Sequence, residues 1–203
     1  MLYELCKRII DILISLTVLV VLCPLFLLIM VAIRLDSPGP ALFRQQRAGV
    51  FGRPFVFYKF RTMRPDAEPF GPSPKSGEDA RLTRLGRFLR EYSLDELPQF
   101  FNVLKGDMSL VGPRPLYLSQ LSEWDQQQKK RLLVKPGLTG LAQIGGRAGL
   151  TIEEKLRLDV RYVETAGFLT DLRIILFTFA RLFSRRDIYE KRYSENQYTR
   201  GKK

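Results

Sequence analysis

Asp95 and Glu96 are adjacent carboxylates in the stretch 81–115, RLTRLGRFLREYSLDELPQFFNVLKGDMSLVGPRP, which also carries five arginines and one lysine among apolar residues. Guanidinium forks bind phosphate oxygens bidentately, and a carboxylate can hold a divalent metal or attack phosphorus. Cations around two carboxylates therefore suit a reaction on phosphoryl groups. Arg114 stands out among these cations. Pro113 and Pro115 fix its direction in a segment with no packing need for a charge, whereas a basic helix face bearing Arg84, Arg87 and Arg90 is satisfied by solvent or lipid headgroups.

The carboxylates also have a plainer reading. Ser93-Leu94-Asp95-Glu96 fits the S-x-x-E capping box, in which Glu96 would serve only the first amide of its own helix. Pro98 weighs against a helix that starts so early, because its ring would clash with the carbonyl of Leu94. A start at Asp95 puts Pro98 in the first turn and Asp95 at the helix mouth, where the dipole would stabilise a phosphate and depress the Asp95 pKa.

Composition bounds the chemistry. The 203 residues suffice for one domain plus an appendage, and a 45% hydrophobic share provides a core. A net charge of +12 favours anionic partners: nucleic acid, an acidic leaflet or a phosphorylated substrate. The chain has no histidine, which excludes imidazole bases, Ser-His and Cys-His nucleophiles and His-ligated zinc. Cys6 and Cys23 both lie in the apolar N-terminal region and form neither a disulfide framework nor a metal pair, consistent with a reducing compartment. A nucleic-acid surface would interleave aromatics with the basic residues on a soluble face, whereas Phe88, Phe100 and Phe101 read as core or membrane-contact positions.

The elements that must position the pair begin with 22 uncharged residues from Ile12 to Ile33, long enough as a straight helix, at ~1.5 Å per residue, to cross a bilayer core. Their length and the lack of a cleavage site argue against a signal peptide. Pro24 falls near the middle and breaks or kinks the helix. Lys7 and Arg8 precede the run while Arg34, Arg44, Arg47 and Arg53 follow it, so the positive-inside rule draws both ends to the cytoplasm. A helix broken at Cys23-Pro24 that dips into one leaflet and returns satisfies both flanks; a Pro-kinked through-span satisfies one.

After the turn cluster 36–40, residues 41–63 read as a β-hairpin whose second strand places Lys59 and Arg61 on one face. Residues 65–77, with four prolines and two glycines, form a loop. An amphipathic helix is expected over 79–92, a second helix from about Asp95 to the stop at Gly106, and a third over 116–134. The glycine-rich path KPGLTGLAQIGGRAG (135–149), with Arg147, would let backbone approach a nucleotide. Thr151 and Glu154 form a capping box that opens a helix to about Thr165. For the final apolar helix over 168–183, an interfacial helix and a core helix both fit. The polar tail 187–203 is expected to be poorly ordered.

Taken together, KFRTM (59–63), SLDELPQFFNVLKGDMSLVGPRP (93–115) and KPGLTGLAQ (135–143) resemble the bacterial sugar transferase family, the monotopic phosphoglycosyl transferases, over nearly the whole chain. The resemblance implies a mainly α, α+β fold. It has a re-entrant membrane helix (1–36) broken at Cys23-Pro24, a catalytic domain with interfacial helices (37–186) and the tail. It also implies transfer of a sugar-1-phosphate from a UDP-sugar to polyprenol phosphate, with release of UMP and a requirement for Mg²⁺. By position, Asp95 would be the nucleophile and Glu96 would help hold Mg²⁺ or manage protons. Arg114, Lys59, Arg90 and Arg147 would contact phosphates or nucleotide, with Gln143 and Asp159 as further substrate-binding positions.

The implied setting is the bacterial inner membrane, with the catalytic domain on the cytoplasmic face. The implied partners are a UDP-sugar, polyprenol phosphate and an anionic phospholipid membrane, without nucleic acid; a homo-oligomer is compatible. Cys23 departs from the Ser expected before the proline. Beside larger relatives that carry an additional N-terminal membrane bundle and domain, this chain is expected to be the minimal catalytic unit. Two competing readings are a non-enzymatic basic membrane-surface protein and a glycosyltransferase that releases UDP.

Overall fold

A computed structural model describes residues 2–67, 74–182 and 189. The chain opens with two helices, α1 (Leu2–Val21) and α2 (Cys23–Asp36), bent by 61° where they meet. The bend falls at Leu22, just before Cys23-Pro24, and Pro24 lies in the first turn of α2. Without an N–H, Pro24 cannot bond the carbonyl of Val20, and its ring crowds that carbonyl, so the helix axis turns here. The ladder resumes on both sides, with Leu22 N donating to Val18 O and Phe26 N to Leu22 O. Among the described residues no single helix is long and apolar enough to cross a membrane; α1 and α2 meet that length and composition only together.

The first half of α1 docks on the remainder of the chain through polar anchors. Asp11 accepts the amide of Leu110, Arg8 donates to the carbonyls of Val103 and Leu104, and Lys7 pairs with Asp171. Arg61 fixes the other end of the helix pair by donating to the carbonyls of Pro38, Ser37 and Ile33 at the C-terminus of α2. The strand ends at Phe60, so Arg61 serves α2 while Lys59 is left to the site.

The hairpin is present as expected: β1 (Leu42–Ala48) and β2 (Pro54–Phe60) run antiparallel, with Arg47 opposite Phe55 and Gln45 opposite Phe57. Alternation sends Phe57 into one buried cluster with Val103, Met108, Val111, Tyr162 and Ile174, and Phe60 into another with Phe26, Ile29, Ile33 and Leu89. The hairpin thus separates the globule's core from the layer beneath α2. Arg47, Phe57 and Lys59 share its globule-facing side.

Helix α3 (Arg84–Glu91) begins later than the expected 79, because Asp79 folds back onto the amide and guanidinium of Arg81, and Met63 bridges Leu82. Thr83 caps it instead, accepting the amide of Gly86. A Cβ on Gly86 would sit 1.9 Å from the carbonyl oxygen of Thr62, so only glycine lets α3 approach the chain after β2 so closely.

After α3, Ser93 takes a left-handed conformation, residues 94–96 form a 3₁₀ turn, and α4 spans only Gln99–Lys105. The next segments are two short parallel strands, β3 (Ser109–Val111) and β4 (Gly137–Thr139), that periodicity did not signal. The helix expected over 116–134 is instead a 3₁₀ turn (Leu118–Ser122), α5 (Gln126–Lys129) and a second 3₁₀ turn (Lys130–Leu133). Asp125 and Gln128 form a capping box in the middle of that run and restart the helix there.

Helix α6 (Leu141–Gly145) lies within the glycine-rich path. Helix α7 (Ile152–Thr165) opens on the Thr151–Glu154 box as expected. Helix α8 (Phe168–Leu182) buries Asp171 and Ile174 but leaves Phe168, Leu169, Leu172, Leu176, Phe177 and Phe179 exposed. Leu13, Leu16, Val20, Leu27, Leu28 and Val31 are also exposed on α1 and α2, so the apolar exposure is concentrated on these three helices. The expected tail, apart from Tyr189, lies outside the described residues.

Candidate active site

Asp95 is buried, at 4% exposure, in the 3₁₀ turn one residue before Glu96. Leu94 and Leu97 on either side of the pair pack into the cluster beneath α2, which pins the turn. The left-handed Ser93 (φ 57°) reverses the chain leaving α3 and makes no side-chain cap. Glu96 likewise caps nothing. Its Oε1 accepts Lys59 Nζ at 2.7 Å and Arg114 Nη2 at 2.6 Å, and Arg114 Nη1 lies 3.5 Å from Oε2. Lys59 Nζ also lies 3.6 Å from Asp95 Oδ2, so one ammonium bridges the two carboxylates.

These placements rest on specific scaffolding. Asn102, fully buried on α4, accepts the amide of Tyr58 and donates to the carbonyl of Val56, which fixes the strand bearing Lys59 against the helix after the pair. Arg131 donates to the backbone carbonyl of Arg114 and is itself held by Asp159 at 2.7 and 3.1 Å, stacked over Trp124. The Pro113-Arg114-Pro115 turn is thereby fixed from its backbone side, and the guanidinium is left to Glu96.

The electrostatics differ from the helix-mouth expectation. Asp95 is not at a helix N-terminus, and burial raises its pKa, with Lys59 opposing. Burial also works against ionising Glu96, but Arg114 and Lys59 outweigh it and hold its carboxyl well below the usual carboxylate range. One carboxylate is thus locked as an ion while its neighbour keeps a weaker, mainly Coulombic partner.

The remaining expected residues divide. Arg90 on α3 acts on Asp95 through its charge, and its buried Nη1 has no hydrogen-bond partner. Asp159 is buried and its carboxylate holds Arg131, so its link to the pair runs through the Arg114 carbonyl. Gln143 is buried on α6 with neither polar side-chain atom hydrogen-bonded. Arg147 sits in a 3₁₀ turn with φ 51°.

Residues missed by sequence reasoning are Arg47, Tyr117, Asn102 and Arg131. Asn102 had a signal, a polar residue inside the apolar run FFNVL; the others had none beyond their charge or ring. A cleft of about 60 Å³ lined by Lys7, Arg8, Ser109 and Lys135 lies at the docking face of α1, apart from the carboxylate pair.

A carboxylate pair held by cations, one member buried and the other partly exposed, on a turn packed beneath a bent apolar helix pair, is an anion-handling site set against an apolar surface. The chain belongs to the bacterial sugar transferase family, whose pattern matches residues 2–185. It is 42% identical to the sugar transferase EpsL of Bacillus subtilis over 87% of this chain and 86% of that protein. It is 42% identical to the UDP-glucose:undecaprenyl-phosphate glucose-1-phosphate transferase of Caulobacter vibrioides, over 92% of this chain and 73% of that one. With the Escherichia coli transferase of the same description it shares 38% identity over 92% of its length but spans only 42% of that longer protein.

Proposed function

We propose that this chain transfers a sugar-1-phosphate from a UDP-sugar to a polyprenol phosphate, undecaprenyl phosphate being the acceptor named for its relatives. The observation that carries this reading is the unequal carboxylate pair. Glu96 is tied to Lys59 and Arg114, and Asp95 lies beside the same ammonium with only a 3.6 Å contact.

Two displacements account for the chemistry. A carboxylate oxygen of Asp95 attacks the sugar-linked phosphorus, the bond from that phosphorus to the bridging oxygen breaks, and UMP leaves with that oxygen. A phosphate oxygen of the polyprenol phosphate then attacks the same phosphorus and the Asp95 oxygen departs as carboxylate. No net proton is taken up or released, which agrees with a chain that has no histidine. Lys59 and Arg114 neutralise the oxygens on which charge accumulates. Glu96 orients both cations, and its ion pairs make it a poorer proton carrier than an organiser.

No cluster of three or more candidate ligands occurs among the described residues, and Glu96 Oε1 already accepts two cations. This donor set fits a loosely held Mg²⁺, which Asp95 and Glu96 would bind together with the substrate diphosphate, rather than an all-protein cage. When bound, the ion neutralises diphosphate charge.

The bent helix pair and the exposed apolar face of α8 support a re-entrant insertion from the cytoplasmic side of the bacterial inner membrane, in contact with an anionic leaflet. Leu94 and Leu97, packed beneath α2, would hold the pair next to a lipid-borne acceptor.

The test is incubation of the purified protein with a panel of UDP-sugars, Mg²⁺ and undecaprenyl phosphate. UMP release that Asp95→Asn abolishes is expected. UDP in place of UMP, or unchanged release by Asp95→Asn, would sink the reading.

A further inference from the structure

We propose that Arg47, held over the ring of Tyr117, binds the nucleotide-side phosphate of the donor, the phosphate that leaves within UMP. The inference rests on the reading given under Proposed function and adds to it a residue and a subsite.

The fold brings Arg47 to the site by an indirect route. Ala48 N donates to Leu116 O at 3.0 Å, sewing the end of β1 to the chain two residues past Arg114. Arg47 and Lys59 stand on the same face of the hairpin and flank one ring, each with its charged group 5.6 Å from the centroid of Phe57. The guanidinium carbon of Arg47 lies 3.6 Å from the Tyr117 centroid, a cation–π contact that holds the fork over the ring.

What Arg47 lacks is an anion. Lys59 and Arg114 are both engaged by Glu96, whereas Arg47 Nε is buried and has no hydrogen-bond partner. Its charge is felt by Arg114 and Glu96, and burial together with Arg114 works against it, with Tyr117 and Glu96 opposing. A guanidinium does not deprotonate to escape that cost. A buried donor without a partner, on a cation repelled by its neighbour, is relieved when a phosphate oxygen arrives.

The side of the site follows from the neighbours. Lys59, near the open end of the hairpin, reaches Asp95 at 3.6 Å, whereas Arg47 stands opposite Phe55 near the hairpin's turn, beside the chain that follows Arg114. The phosphorus attacked by Asp95 carries the sugar, so the cation set farther along the hairpin from the Lys59–Asp95 contact falls to the other phosphate of the diphosphate.

The experiment measures the affinities of UMP and of uridine by calorimetry for the full chain in detergent, with KM for the UDP-sugar. Arg47→Met, which keeps the apolar stem, is compared with Arg47→Lys, and a melting curve is recorded for each. Loss of a charge-assisted hydrogen bond is worth about ten- to a hundredfold. Arg47→Met is expected to weaken UMP and raise KM by that factor, with kcat within about threefold and uridine affinity unchanged. Arg47→Lys should recover part of the UMP loss. UMP affinity within about twofold of the parent chain, or equal losses for UMP and uridine, overturns the proposal; if Arg47→Met melts early, Arg47→Lys is held to the same UMP-to-uridine ratio. A parent chain that binds UMP but releases none from any donor refutes the transfer reaction, not the subsite.

Discussion

Glu96 and Arg114 stand 18 residues apart in the chain and meet fork to carboxylate, at 2.6 Å on Oε1 and 3.5 Å on Oε2, with Lys59 sharing Oε1. Neither residue's neighbours in sequence require this pairing. It converts Glu96 from a helix cap into the part that aims two cations.

A double-mutant cycle measures that role. Glu96→Gln and Arg114→Lys should each lower kcat/KM for UMP release by about a hundredfold, and the double variant by far less than the product of the two. The coupling expected is about 1–2 kcal/mol, toward the low side because the Arg114 side chain is 38% exposed. Additive losses would show that the two act independently.

Arg131 and Asp159, each with a side chain 2% exposed, form the most deeply buried ion pair among the described residues. Asp159→Asn leaves Arg131 with an uncompensated charge and should destabilise the chain by about 3 kcal/mol, read as a lowered melting temperature. Arg131→Met with Asp159→Leu should recover much of that stability. Activity should stay low in the double variant, because the Arg114 carbonyl has lost its donor. Full activity in it would mean that the Arg114 turn needs no such anchor.

Insertion of the bent pair is checked by thiol labelling. In a background with Cys6→Ser and Cys23→Ser, single cysteines at Leu2 and Leu35, exposed at 75% and 83%, should both react with a membrane-impermeant reagent added from the cytoplasmic side. Reaction of the two from opposite sides would restore a through-span.

Chelation offers a fourth measurement. EDTA should stop UMP release and Mg²⁺ should restore it, while the melting temperature without substrate should move by less than about 2 °C, since the two carboxylates alone make a weak cage. A large stabilisation of the substrate-free chain by Mg²⁺ would indicate a preformed metal site.

Much of the site was legible in local chemistry. Adjacent carboxylates, a proline-clamped Arg114 and a lysine at the end of a hairpin strand are readable because residue type and short-range geometry limit what they can do. The break before Pro24 and the Thr151–Glu154 box belong to the same class, since both are steric or hydrogen-bonding events within a few residues. Local reasoning failed where one short-range interaction outbid another. Asp79 chose Arg81 and shortened α3, and the Asp125 cap divided a helix that its periodicity had allowed.

By itself the sequence determined the candidate site's cast: a histidine-free, basic chain with the carboxylate pair 95–96 set among arginines and an apolar N-terminus interrupted by Pro24. Tertiary structure alone decided how the cast is used. Burial, not a helix dipole, governs the ionisation of Asp95, because the turn that carries it is pinned under α2. Lys59 and Arg114 are spent on Glu96 while Arg47 keeps an unmatched donor, because strand register and the Ala48–Leu116 bond bring together charges more than sixty residues apart. Coulombic and desolvation energies depend on distance and surroundings in space, and neither is written in the order of the chain.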